Sequence, residues 1–196
     1  MDQLQPFDLV IALVLLAMFI VGYAQGLVRR ILGIAAILFS LFVGALLRQP
    51  LGEYLTHEWT TIVPAYSYMV AFGAVFVAVA VTLSIGIQIS YRPAPLFPRY
   101  PALDEILGGL LGVFEGILIL IAIMLILDPY FTQADVRDHA GIGEFGPLRT
   151  VFGFLDTSLT GSILRHNLVP GLLAIFGLLI PQDVKDAFAR ALTARA

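Results

Sequence analysis

The chain reads as a series of long apolar runs divided by short polar or proline-rich breaks. Leu9 to Val28 holds 20 residues without a charge. A helix rises about 1.5 Å per residue and a bilayer core is roughly 30 Å thick, so about 20 residues span it. The pattern predicts a first membrane helix here. The residues before it, Met1 to Asp8, carry no Lys or Arg, which marks the run as a retained helix rather than a cleaved signal. After Arg29 and Arg30 a second uncharged run, Ile31 to Leu47, has 17 residues and ends at Arg48-Gln49-Pro50. It spans if Arg48 snorkels to the interface. The polar stretch Gly52 to Trp59 suits a membrane surface through its aromatic residues. Tyr66 to Ile89 is the third span. The linker Ser90 to Pro101 contains Pro93, Pro95, Pro98 and Pro101 and cannot continue a helix. Asp104 opens the fourth span, Ile106 to Leu127, which Asp128-Pro129 ends.

Beyond Tyr130 the periodicity changes. Residues 132–147 form a polar surface loop, with a turn expected over Gly141 to Gly146. Leu148, Val151, Phe152, Leu155 and Leu159 recur at helical spacing. The next apolar run, Leu168 to Ile180, has 13 residues and is interrupted by Pro170-Gly171. Extending it backwards meets Arg165-His166-Asn167, costly at bilayer depth, so it reads first as interfacial or re-entrant, with a fifth span as the lesser alternative. Pro181-Gln182-Asp183 starts a last helix with Val184, Ala187, Phe188 and Ala191 on one face. The expected architecture is all-α and membrane-integral: a four-transmembrane-helix bundle in residues 1–131, and amphipathic, interfacial helices in 132–196. Arginines in the short loops set the orientation. Arg29 and Arg30 in the first turn, and Arg92 and Arg99 in the third connection, put both loops in the cytoplasm and both termini outside.

Composition narrows the function. Of 196 residues 59% are hydrophobic and 13% charged, where a soluble domain carries roughly 25% charged residues. Mean hydropathy is +0.93. These values exclude a soluble enzyme domain, a nucleic-acid binder and a disordered tail. The net charge of −3 offers no basic patch for a phosphate backbone. The chain has no cysteine, which excludes disulfides, thiolate metal sites, a cysteine nucleophile and a cysteine-borne lipid anchor. His57, His139 and His166 are scattered, and the zinc, phosphate-loop and nucleophile-elbow motifs are missing. No enzymatic activity, cofactor or metal is expected.

Small residues recur at four-residue spacing in every span: Gly22 and Gly26; Ala36, Ser40 and Gly44; Ala74, Ala78, Thr82 and Gly86; Gly108, Gly112 and Gly116. Helices in lipid associate through such surfaces. Internal packing is the first reading of these stripes, and a dimer interface or the lining of a polar path the second. Glu115 lies inside the fourth span, roughly 15 Å along the helix from Asp104. A charge at such depth usually faces the bundle or a wet cavity and has a partner. Asp8 and Asp104 read as N-terminal helix caps. Arg29 and Arg30 are topology signals first and pairing partners second.

These residues carry a resemblance. Asp8 opens the first helix, Gly22-x-x-Gln25-Gly26-Leu27-Val28-Arg29 closes it, and Leu103-Asp104-Glu105-Ile106-Leu107-Gly108 leads to Gly112-x-x-Glu115-Gly116. In order and separation they resemble the CvpA-like, or colicin V production protein, membrane family over roughly residues 7–130. The family pattern in the last span is similar to Asp-basic-x-x-Gly-x-x-x-Gly-x-x-Arg-Gly. Three positions depart from it: Glu115 stands where the family has Arg, Arg30 where an acidic residue often follows the first arginine, and Glu105 where a basic residue is usual. The reversed signs at 30 and 115 suggest that the two positions pair and that this chain carries the pair swapped. The resemblance implies a multi-pass bacterial inner-membrane protein linked to colicin V production or export and to envelope integrity. The expected partners are the lipid bilayer, a second copy of the chain as homo-oligomer, and an envelope or secretion protein, with no nucleic acid. A small oligomeric transporter or channel with Glu115 in a polar path is the alternative.

Overall fold

The computed structural model describes residues 5–90, 96–97, 99–133, 136, 139, 143–176 and 180–193. Arg92 and the glycine turn at Gly141 and Ile142 lie outside these residues; Gly143 makes a turn with φ +79°. Among the described residues seven helices are delimited: α1 (Pro6–Gln25), α2 (Leu27–Glu58), α3 (Pro64–Ser90), α4 (Pro101–Phe131), α5 (Gly146–Thr157), α6 (Leu159–Phe176) and α7 (Gln182–Thr193). Proline in the first turn starts α1, α4 and α5, where its missing N–H would have no partner in any case. Among the described residues five helices, α1 to α4 and α6, are long and apolar enough to cross a membrane. Mean hydropathy separates them: 2.3 to 2.9 for α1 to α4 and 1.2 for α6.

Three boundaries differ from the sequence reading. Helix α2 does not end at Leu47 but runs on through Pro50 and the polar stretch to Glu58. The proline removes one ladder bond, but the helix beyond it stays packed, because Gly52 lets the Tyr68 ring of α3 lie directly on its backbone. Helix α4 likewise passes Pro129 and ends at Phe131, where the Thr132 N–H and hydroxyl both donate to the Asp128 carbonyl. The Arg165-His166-Asn167 segment does not break α6. It forms a π-turn, Leu164–Leu168, in which the Val169 N–H donates to the Leu164 carbonyl. Widening the ladder immediately before Pro170 accommodates a residue that has no N–H and whose ring crowds the preceding turn.

Helices α1 and α4 pack together antiparallel, α2 and α3 likewise, and α2 packs on α4 to join the pairs. The α1–α4 contact is the glycine seam. A Cβ on Gly22 would strike the Gly108 carbonyl, and one on Gly112 the Met18 carbonyl. Backbones can approach this closely only where side chains are missing. Gly26 turns the chain from α1 into α2 with φ +77°, a conformation that L side chains rarely adopt. The bundle thus has two ends. At the arginine end lie Gln25 to Arg30 and the start of α4. At the other, the Asp128 end, lie the start of α1, the α2–α3 connection, the start of α6 and Asp183 of α7. The C-terminal helices share the main core: Leu164, Val169, Leu172, Val184 and Phe188 are buried in one cluster with Phe72, Leu125 and Tyr130. In α7 the buried face is Val184, Ala187, Phe188 and Ala191. Leucine, valine and isoleucine side chains of α1 from Leu9 to Val21 stay exposed on its outer face, as for a helix surrounded by lipid.

Candidate functional site

The structure brings Arg30 and Glu115 together. Arg30 sits in the first turn of α2, and its Nη1 donates to Glu115 Oε2 in the middle of α4. The side chains are 6% and 13% exposed. Gly33, one turn after Arg30, makes room: a Cβ there would stand 2.7 Å from Glu115 Oε1. Arg30 Nε has no acceptor among the described residues, a costly state for a buried donor.

The pair forms the floor of a cavity of about 240 Å³ between α1 and α3. Arg29, Arg30 and Gly33 of α2 and Glu115 of α4 lie at the floor, with Gln25 on the α1 wall and Ser84 and Gln88 on the α3 wall. Among the described residues Arg29 makes no hydrogen bond or ion pair. The cleft therefore holds two guanidinium groups against one carboxylate.

Asp8 caps its own helix, in a capping box with Gln5, and a distant helix as well, whereas Asp104 caps α2 rather than the helix it opens. Asp104, near the start of α4, accepts the Leu27 N–H at the start of α2 and the Leu96 N–H of the preceding connection. Asp8 accepts the Gln5 N–H beside its own helix, but its other bonds reach across 151 and 152 residues to the Leu159 N–H, the Thr160 N–H and the Thr160 hydroxyl. Ser158 Oγ takes the Gly161 N–H. The first three amide donors of α6 are thus satisfied, two of them by α1. Gly108, Gly112 and Gly116 face Gly22, Gly26, Met18 and Leu15 of α1, so the glycine stripe is occupied within the chain.

A family model described as Colicin V production protein matches residues 7–140. The chain belongs to the colicin V production protein family. No curated protein and no solved structure matches it. For this family member the apolar helices and the match together establish a multi-pass membrane protein. The matched stretch contains α1 to α4, and with them Asp8, Arg30, Asp104, Glu115 and all five seam glycines.

Four further ion pairs were not singled out by the sequence pattern, and all lie at the Asp128 end. Arg165 of α6 donates from Nε and Nη2 to the two carboxylate oxygens of Asp128 at 2.7 and 3.1 Å, with both side chains at most 4% exposed. Arg165 Nη1 also lies 3.4 Å from Asp156. Arg48 holds Asp183 at the start of α7 at 2.8 Å and lies over the Tyr68 ring. Arg149 of α5 binds Glu144 at 2.5 Å, which pushes the guanidinium pKa further up; Glu144 in turn accepts from the Tyr130 hydroxyl. One signal was available. An arginine inside an apolar run and an aspartate ending another run are each expensive alone, and each implies the other.

Proposed function

We propose that this family member is a non-enzymatic inner-membrane protein that supports colicin V production or export and envelope homeostasis by binding protein partners. It crosses the membrane four times, with both termini on the outer face and α5 to α7 forming a platform there. The observation that carries this reading is that every C-terminal helix is fastened to one end of the bundle. Asp8 caps α6, Asp128 grips Arg165, Arg48 grips Asp183, and the Phe145 N–H donates to the Tyr66 hydroxyl. Chain length also supports four crossings. The seven-residue step from Phe176 to Asp183 reaches at most about 25 Å, short of the roughly 30 Å core that the chain would have to recross had α6 traversed it. With four crossings the arginine end faces the cytoplasm, in agreement with the positive-inside rule.

A binding rather than a conducting role is supported by what separates the cavities. A second cavity of about 360 Å³ lies at the Asp128 end, between α7 and the bundle, lined by Arg48, Phe72, Leu125, Tyr130 and Arg190 among others. Between it and the cleft stand Ile37, Leu41, Phe76, Leu118, Ile121 and Ala122, all under 9% exposed. This apolar plug opposes ion passage through a single copy. The transporter reading draws on one observation, the charged cleft around Glu115, and on oligomerisation to complete a path. Reconstitution in liposomes separates the two. The partner-binding reading expects no proton or solute flux, and expects an envelope partner that co-purifies with the full chain and is lost on deleting residues after 145. Flux abolished by Glu115→Gln would overturn it.

A further inference from the structure

The Arg29–Arg30–Glu115 cleft has an unbalanced chemistry that packing does not require. Glu115 neutralises one guanidinium, leaving a net charge of +1 on the floor. Arg29 is half-buried and, among the described residues, without an acceptor. Arg30 keeps a buried Nε–H without one. Two glutamine amides and a serine hydroxyl line the walls, and among the described residues Glu115 is the one anionic group in the lining. A donor-rich, acceptor-poor pocket of this kind is matched by an oxyanion with several acceptor oxygens. Phosphate is the best fit, because guanidinium groups bind its oxygens in paired, charge-assisted hydrogen bonds.

The shape indicates the route. The cleft lies between α1 and α3, and the wall residues Val21, Ser84 and Gln88 are exposed on the bundle surface. Its mouth therefore opens sideways, toward lipid, near the arginine end. Met18, Val21 and Ile87 give that mouth an apolar lining on which acyl chains can lie. Basic pockets between transmembrane helices are suited to anionic headgroups. We propose that this cleft is a phosphate-anion site, filled laterally by the headgroup of an anionic phospholipid, with Arg29 as its main anion ligand. Arg30 and Glu115 shape the floor, and Gln25 and Gln88 complete the donor set. This site is independent of the toxin-export reading, since it requires only a membrane-embedded bundle.

The test uses the full chain purified in detergent, with native mass spectrometry after addition of phosphatidylglycerol or phosphatidylcholine, and a parallel titration with inorganic phosphate. Phosphatidylglycerol is expected to be retained about tenfold better than phosphatidylcholine, and Arg29→Gln to reduce that retention about tenfold, the loss of one charge-assisted contact. Gln88→Leu, on the exposed α3 wall, is expected to weaken it with the helical fold intact by circular dichroism. Arg99→Gln, an exposed arginine at the same end but outside the cleft, is expected to leave it unchanged. Equal retention of the two lipids, or equal losses from Arg29→Gln and Arg99→Gln, would overturn the site and leave only general attraction to the leaflet. Binding of inorganic phosphate that Arg29→Gln abolishes, with no phosphatidylglycerol adduct, would keep the anion site and overturn its lateral filling by lipid.

Discussion

Reversing Glu115 to Arg puts a third guanidinium beside Arg29 and Arg30 in a cleft that already carries a net positive charge. An exposed ion pair contributes about 0–1 kcal/mol, but this pair is not exposed: its side chains are 6% and 13% accessible. Breaking a buried pair by removing one partner costs about 3–5 kcal/mol, mostly from the charge left behind. The opening of the cleft toward Ser84 and Gln88 moderates that figure, so about 3 kcal/mol is expected for Glu115→Arg and for Arg30→Glu taken singly. The double variant restores opposite charges across the same gap. Gly33 imposes no side chain on the space beside position 115, and a longer arginine there can extend into the 240 Å³ cavity. The double variant should then return to within about 1 kcal/mol of the parent, a coupling of several kcal/mol where independent sites add to within about 0.5. The assay is reversible unfolding in mixed micelles with rising dodecyl sulfate, followed by far-UV circular dichroism. Single Trp59, which caps α2, supplies a second probe by fluorescence. If the two losses simply add in the double variant, Arg30 and Glu115 are not a coupled pair, and the swapped-charge reading of the family pattern fails with it.

Other outcomes follow from the same geometry. Gly112→Ala drives a Cβ into the Met18 carbonyl and should cost about 1–3 kcal/mol, whereas Gly86→Ala, with nothing within 4 Å, should be neutral or stabilising by up to about 1 kcal/mol; thermal melts of both in one detergent decide, and equal effects would remove the seam's special role. Asp8→Ala uncaps α6 from a distance and should cost about 1 kcal/mol, seen in hydrogen exchange as faster Thr160 amide exchange with α2 unchanged. Because the chain has no cysteine, Glu58→Cys, Arg99→Cys and Ile175→Cys can each be labelled singly in intact cells and in inverted vesicles. Four crossings put positions 58 and 175 on the same side and 99 on the other; labelling of 175 with 99 would establish a fifth crossing.

The long apolar runs made the membrane helices legible because their signal is local: twenty consecutive residues without a charge can satisfy their backbone in lipid only as a helix. The glycine stripe in α4 was legible as a packing surface for the same reason, since its four-residue period is a property of one helix. What escaped depends on contacts distant in sequence. Nothing near Asp8 says that its carboxylate caps a helix 151 residues later. The ends of α2 and α4 escaped because proline is a strong local stop, and here tertiary contacts outweigh it: Tyr68 on Gly52 beyond Pro50, and burial of Tyr130 and Phe131 beyond Pro129.

The charges show how these two kinds of information combine. A buried charge without a partner is so unfavourable that the presence of Glu115 in a span implied a counter-ion, and sign alone narrowed the choice to a few arginines. The same logic applied to Arg165, whose apparent cost at depth argued against a continuous α6. That cost assumed an isolated charge. With Asp128 bidentate on the guanidinium and Asp156 beside it, α6 remains helical through Arg165. Hydropathy averages each helix separately and cannot see a charge neutralised by another helix. The consequence is a division of labour between the two ends of the bundle. At the Asp128 end the buried arginine has all the carboxylate it needs and serves as a fastener for the C-terminal helices. At the arginine end two guanidinium groups share one glutamate, and it is this surplus, rather than the mere presence of an intramembrane charge, that makes the cleft the place to look for a ligand.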